Sequence, residues 1–318
     1  MGLPERTRLV SISRVNPDSM QNPDRLPPRD LPRRRSGRHR NPLSFDSWVG
    51  TPRLVLAVPG GTEEAAEIGA QIADLLRSYR PEVEIKYGCT EGGPSLREAM
   101  DGLAPREGSP LAGIVVPLVT GPHAPTARAV EEAARETGAD VRMTEALGPH
   151  PMLAEVLHLR LAEAGFVRAD RMRLISVVAP SASMTDGVVV GAAGGAEAAG
   201  AAGVTAVLLA ARLGITVLPA DMDDDAAMAE VFGQLAEAGC ARPVLAPGVI
   251  GPEMPEGRVA ELAERHGARA SAPLGAGSTL AKIAALRYAE VLNSVGVQTP
   301  PSVDDLPAPV GSRHRPES

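Results

Sequence analysis

Aromatic side chains are nearly absent from this 318-residue sequence: one Trp, three Tyr and three Phe, together 2%. Its cores must therefore be built from Ala, Val, Leu and Ile, and a stacking platform for nucleic-acid bases is excluded. Cysteine is equally scarce. Cys89 and Cys240 are the two present, and neither stands in a CxxC pattern. That rules out a disulfide framework and a thiolate metal site, and it suits a reducing compartment. No uninterrupted apolar run reaches the roughly 18 residues a membrane helix needs. No apolar segment follows the arginine-rich N-terminus as it would in a signal peptide. A net charge of −7 argues against nucleic acid as a partner. The expectation is a cytoplasmic protein without membrane or nucleic-acid contacts.

What is present is aliphatic and repetitive. Hydrophobic residues make up 44% of a chain long enough for two domains. Residues 114–119 form a short apolar run that ends in Thr120-Gly121-Pro122-His123-Ala124-Pro125. This reads as a buried parallel strand whose C-terminal loop delivers a histidine. The pattern returns from Val244 onward: Pro117, Gly121, Pro122, Pro125 and Arg128 match Pro247, Gly251, Pro252, Pro255 and Arg258 without a gap. In the second copy the histidine is Glu253. Gly60-Gly61 and Gly194-Gly195 likewise follow matching apolar runs, and Leu147-Gly148 matches Leu274-Gly275. These landmarks, repeated in one order, indicate an internal duplication.

The chain alternates strand and helix signals. Strands are expected at 54–58, 83–88, 113–119 and 140–144, with helices at 63–79, 94–103, 126–137 and 152–164. The second half repeats them: strands at 188–190, 216–220 and 243–246, with helices at 198–213, 226–238, 255–266 and 279–293. Such alternation predicts parallel sheets covered by helices. Residues 1–52 and 297–318, rich in Pro, Arg and polar residues, are expected to be disordered tails. The boundaries drawn are 53–173 for the first domain and 174–296 for the second. A monomer is expected, since the repeat supplies its own pairing.

These landmarks, with Gly92-Gly93-Pro94-Ser95-Leu96 and Leu147-Gly148-Pro149-His150-Pro151, make residues 53–293 resemble the class II sirohydrochlorin chelatases of the cobalamin and siroheme pathways. The resemblance implies two tandem flavodoxin-like, chelatase-like α/β units with a cleft between them. It also implies insertion of Co²⁺ or Fe²⁺ (Ni²⁺ has the same chemistry) into a tetrapyrrole, with no ATP and no organic cofactor. The family's first strand usually ends in Ala-His-Gly-Ser, and that histidine helps hold the incoming metal. Here its position is Pro59, and its repeat counterpart is Ala193. His123 and His150 match retained family positions.

Metal insertion needs a divalent ion on few, exchangeable ligands and a base for two pyrrole protons. Neutral imidazole suits both tasks. His123 is accordingly expected as metal ligand and proton acceptor, with Glu253 as a second catalytic group and His150 as a second ligand. Glu91 is a further candidate to replace the lost ligand. Gly60, Gly61, Thr62 and His150 are expected to bind substrate, since helix N-termini and loop N–H groups suit carboxylate arms. Asp221, Asp223, Asp224 and Asp225 read as helix N-terminal acids rather than a cation site. Ser181, Ser183 and Asp186 show no triad spacing. The rival reading is a tetrapyrrole- or metal-binding paralogue that lost insertion activity with its first histidine. A third is an unrelated small-molecule binder on the same scaffold.

Overall fold

The computed structural model describes residues 51–109, 111–168 and 184–295; of the tails expected at 1–52 and 297–318, residues 1–50 and 297–318 lie outside the described residues, as do the 173/174 domain boundary, Ser181 and Ser183. Thr51 and Pro52, expected in the N-terminal tail, are instead buried. The first half runs β1 (Arg53–Val58), α1 (Glu63–Tyr79), β2 (Ile85–Cys89), α2 (Leu96–Met100), β3 (Gly113–Pro117), α3 (Ala124–Thr137), β4 (Val141–Met143) and α4 (Pro151–Glu163). The second runs β5 (Gly187–Ala192), α5 (Ala196–Leu213), β6 (Thr216–Asp221), α6 (Asp225–Glu237), β7 (Pro243–Pro247), α7 (Arg258–Arg265), β8 (Arg269–Ala270) and α8 (Ser278–Ser294). Each half forms a four-stranded parallel sheet, ordered β2-β1-β3-β4 and β6-β5-β7-β8. Every strand–helix–strand step is the crossover that parallel pairing requires.

Side chains alternate across each sheet. Leu54, Leu56, Ile114 and Val116 face the same core as Val188, Val190, Val244 and Ala246 of the second sheet. Val55, Ala57 and Val115 face outward onto α2 and α3, while Val189 and Leu245 face α6 and α7. The two halves therefore do not keep separate cores. Between the sheets lies a shared helical layer of α1, α4, α5 and α8, and the last helix of each half crosses to the other: α8 packs on β3 and α1, and α4 on β7 and α5. Fully buried Ile72, Leu76, Leu157, Leu161, Leu280 and Ile283 fill this layer, each contributing about 1.5–3 kcal/mol of burial. The Tyr288 hydroxyl of α8 donates to the Pro52 carbonyl (2.6 Å), and the buried Arg80 guanidinium lies 5.5 Å from the Tyr288 ring centre.

The helix at 94–103 is shorter than its sequence suggests. Ser95 caps α2 in a reciprocal box with Glu98, which fixes the start, and the chain turns out of the helix at Asp101. The helix at 255–266 likewise begins at Arg258, because Gly257 takes a left-handed conformation (φ 79°) and resets the chain. The two-residue β8 carried no apolar run to announce it.

Candidate functional site

The C-terminal ends of β1, β2 and β3 open onto one mouth, the position where open parallel sheets bind ligands. After β1 the chain turns through residues 59–62. Gly60 adopts φ 73°, and Gly61 lies so close to the Glu91 backbone that a Cβ would collide with it. Glu91 N–H donates to the Gly60 carbonyl (2.9 Å) and Thr90 N–H to Val58 (2.8 Å), lacing the first two loops together. Thr62 caps α1, its hydroxyl accepting from Ala65 N–H at 3.2 Å.

After β3 the chain delivers His123 as the N-cap of α3, followed by Pro125 in the first turn, where its missing N–H costs nothing. Its Nδ1 lies 2.7 Å from the Thr126 hydroxyl and 3.4 Å from Thr126 N–H. Thr126 is buried. With Nδ1 held there, Nε2 is the ring nitrogen left for a metal ion or a proton. Burial pushes the imidazole below its ordinary pKa, with the Asp223 carboxylate of the second half pulling the other way. His123 thus stays neutral and nucleophilic near neutrality.

The opposite wall comes from the second half. The loop after β7 crosses the first mouth, and the Glu253 carboxylate folds back to accept from Ile250 N–H (2.9 Å) and Gly251 N–H (2.8 Å). The residue keeps some exposed surface, but its carboxyl group is desolvated, and this pushes its pKa up to about 7 against the pull of the two N–H groups. A carboxyl with that pKa exchanges a proton at neutral pH.

Together these loops enclose a cleft of about 430 Å³. Its lining joins Pro59, Gly60, Gly61, Thr62, Glu91 and His123 of the first half to residues 251–256 of the second. Four glutamates (Glu64, Glu91, Glu253 and Glu256) and one histidine line it, with no Lys or Arg. Such a surface attracts cations.

His123, Glu253, Gly60, Gly61, Thr62 and Glu91 are thus brought together. His150 does not line this cleft. It caps α4, accepting from Met152 N–H at 3.2 Å, and burial and nearby Arg287 lower its pKa, against Glu290. Among the described residues no three of His, Cys, Asp and Glu gather as a metal site. The acids at 221–225 are each occupied. Asp221 accepts from Asp223 N–H, Asp223 from Gly194 N–H (2.7 Å), Asp224 caps α6, and Asp225 pairs with Arg258 and Arg265. Asp186 accepts from the backbone of Ala241 and Arg242.

Two supporting residues escaped the sequence reading. Thr126 carried a local signal, a hydroxyl three positions after a capping residue. Asp223 carried none, since only the docking of the halves brings it near His123.

The fold and site define a duplicated parallel α/β protein with one cleft shared between its halves. Residues 55–164, from β1 through α4, match the CbiX family. The whole fold is similar to a solved CbiX, described as the terminal enzyme for biosynthesis of siroheme in denitrifying bacteria. That likeness has a TM-score of 0.50 and 14% identity, over 76% of this chain and 98% of that one. Among curated proteins none matches significantly. The family match thus covers the first half alone, and over the rest of the chain the likeness is one of fold.

Proposed function

We propose that this protein inserts a divalent metal ion, Co²⁺ or Fe²⁺, into a sirohydrochlorin-type tetrapyrrole, without ATP, in cobalamin or siroheme biosynthesis. The observation that carries this reading is the meeting of His123 and Glu253, one from each half, in a single acidic cleft at the strand ends of a CbiX-matching segment. The metal ion is a substrate. It enters the acidic cleft and is held by His123 Nε2. As it passes to the macrocycle, two pyrrole N–H bonds break and the nitrogens bind the metal. The two protons go to His123 and to the Glu253 carboxylate, both of which are suited to accept them near neutrality. Backbone N–H groups around residues 60–62, at the start of α1, suit the carboxylate arms of the macrocycle.

A second reading has its own support. Pro59 stands where the family places a metal-holding histidine, and the cleft offers a polycarboxylate macrocycle no basic side chain. These features favour a protein that binds a metal ion but does not insert it. Anaerobic incubation with sirohydrochlorin and Co²⁺ or Fe²⁺, followed by absorbance, separates the two. Insertion above the spontaneous rate that disappears in His123→Ala supports the chelatase. A rate equal to buffer, with metal bound, supports the carrier.

A further inference from the structure

The gapless repeat matches Arg128 to Arg258, and the two arginines have different surroundings. Arg258 is half-buried and pairs with Asp225 (2.7 Å) at the start of α6 and with Glu261 (3.3 Å) on its own helix. Arg128 is exposed and has no partner among the described residues. The other arginines of α2 and α3 are engaged, Arg97 with Glu136 and Arg135 with Glu132. The acid that holds Arg258 has no counterpart in the first half. Asp221 of β6 matches Cys89 of β2, because they pair with the equivalent residues Ala192 and Val58. Counting on without a gap, Asp225 falls on Gly93. The turn Gly92-Gly93-Pro94-Ser95 contains no acid, and nothing lies within 4 Å of where a Gly93 Cβ would stand. The first half keeps the arginine and drops its carboxylate.

The position of Arg128 relates it to the cleft. Helix α3 buries Thr126, Val130 and Ala133, which leaves Arg128 on its outer side. Long helical side chains lean toward the N-terminus, over the preceding turn. For Arg128 that turn is Ala124 and Pro125, away from Glu131 and Glu132. Pro125 lines the cleft, and so does Glu91 at the entry to the Gly92–Ser95 turn. The guanidinium is thus carried to the rim of a cleft whose lining has no basic side chain.

We infer that Arg128 receives a carboxylate arm of the tetrapyrrole at this rim, with the open turn at Gly93 leaving room for it. This assignment rests on the chelatase reading above. A planar guanidinium meets a carboxylate through two parallel N–H bonds, which fixes orientation as well as charge. The glutamates inside the cleft repel the same arms. The macrocycle is therefore held from the rim, over the cleft rather than deep within it. Charge is divided between the two substrates: the acidic lining draws the metal ion, and the arginine outside it draws the macrocycle.

Anaerobic titration of sirohydrochlorin with the full chain, read by quenching of the macrocycle's fluorescence, tests the inference. Co²⁺ affinity is measured separately by visible absorption. Arg128 is exposed, so Arg128→Ala and Arg128→Glu are expected to keep the wild-type unfolding temperature. Arg128→Ala is expected to weaken macrocycle binding about tenfold and to leave Co²⁺ affinity unchanged. Arg128→Glu is expected to weaken macrocycle binding further. Added salt should weaken the wild type more steeply than Arg128→Ala. Macrocycle binding by Arg128→Ala equal to that of the wild type overturns the inference and leaves the chelatase reading standing. So does a matching loss of Co²⁺ affinity, which would place the effect at His123. A wild type that binds Co²⁺ but no macrocycle overturns the chelatase reading itself, and the role of Arg128 falls with it.

Discussion

Gly194 lies directly against the carbonyl oxygen of Pro122, with no room for a Cβ. Its counterpart Gly60 stands in the same relation to Pro252, more loosely, since a Cβ there would lie 3.3 Å from the carbonyl oxygen. Each half thus presses the loop after its third strand onto the first turn of the other. Both glycines have positive φ, 114° at Gly194 and 73° at Gly60. Gly60→Ala is expected to cost about 1 kcal/mol, the left-handed penalty. Gly194→Ala is expected to cost about 3 kcal/mol or more, because the backbone collision adds to the strain. Denaturant unfolding measures both. Equal losses would mean that Pro122 gives way and the contact is soft.

Glu253 makes stability depend on pH in an unusual direction. The folded carboxyl keeps its proton up to about pH 7, whereas the unfolded one releases it near 4.5. The folded state therefore binds more protons within that window. Its contribution is present at acid pH and is lost as pH rises from 4.5 through about 7. Glu253→Gln cannot titrate, so the stability difference between wild type and variant should change by up to about 3 kcal/mol across the window. Comparing chemical denaturation of both proteins at its two ends checks this. A constant difference would mean an ordinary, solvated carboxyl.

The architecture was legible because its signals were local. Apolar runs ending in Gly-Pro turns marked strands, and α1 lay at 63–79 as its apolar spacing indicates. The gapless match of 117–128 to 247–258 exposed the duplication. What remained hidden depends on how the halves dock. Nothing near Leu153 or Ile283 indicates that α4 and α8 cross to the opposite sheet, because an amphipathic stripe specifies burial without naming the partner. His123 and Glu253 were legible as repeat counterparts. That they line one cleft follows from the crossing of loops, as does the nearness of Asp223 to His123. His150, expected in the site from the sequence resemblance, caps α4 outside the cleft lining.

Thr126 holds His123 by its Nδ1 edge, and such outer-shell partners fix both ring orientation and tautomer. For Nε2 to bind a metal ion, the ring proton must sit on Nδ1, where the Thr126 hydroxyl accepts it at 2.7 Å and the long capping bond from Thr126 N–H (3.4 Å) is given up. Thr126→Val removes that acceptor while keeping the volume. It is expected to weaken Co²⁺ binding about tenfold or more, with Thr126→Ser restoring it. Visible absorption of bound Co²⁺ gives the affinity. Unchanged binding in Thr126→Val would remove His123 from the metal path.

Pro59 stands where the sequence resemblance leads one to expect a histidine. It lines the same cleft as His123, and it follows β1 directly, so its Cβ is held by a rigid strand end. Pro59→His returns an imidazole to this position, and the adjoining space of about 430 Å³ is large enough to take the ring. If His123 is a metal ligand, a second imidazole on the same mouth turns a single-ligand site into a chelating one. Co²⁺ affinity is then expected to rise by about 1.4 kcal/mol or more, a tenfold gain. The gain should vanish when His123→Ala is added, since one imidazole would again act alone. If Pro59→His also raises the rate of metal insertion, the natural protein is limited by how firmly it holds the ion. If affinity rises and insertion does not, the macrocycle rather than the metal is the missing substrate, and the carrier reading prevails.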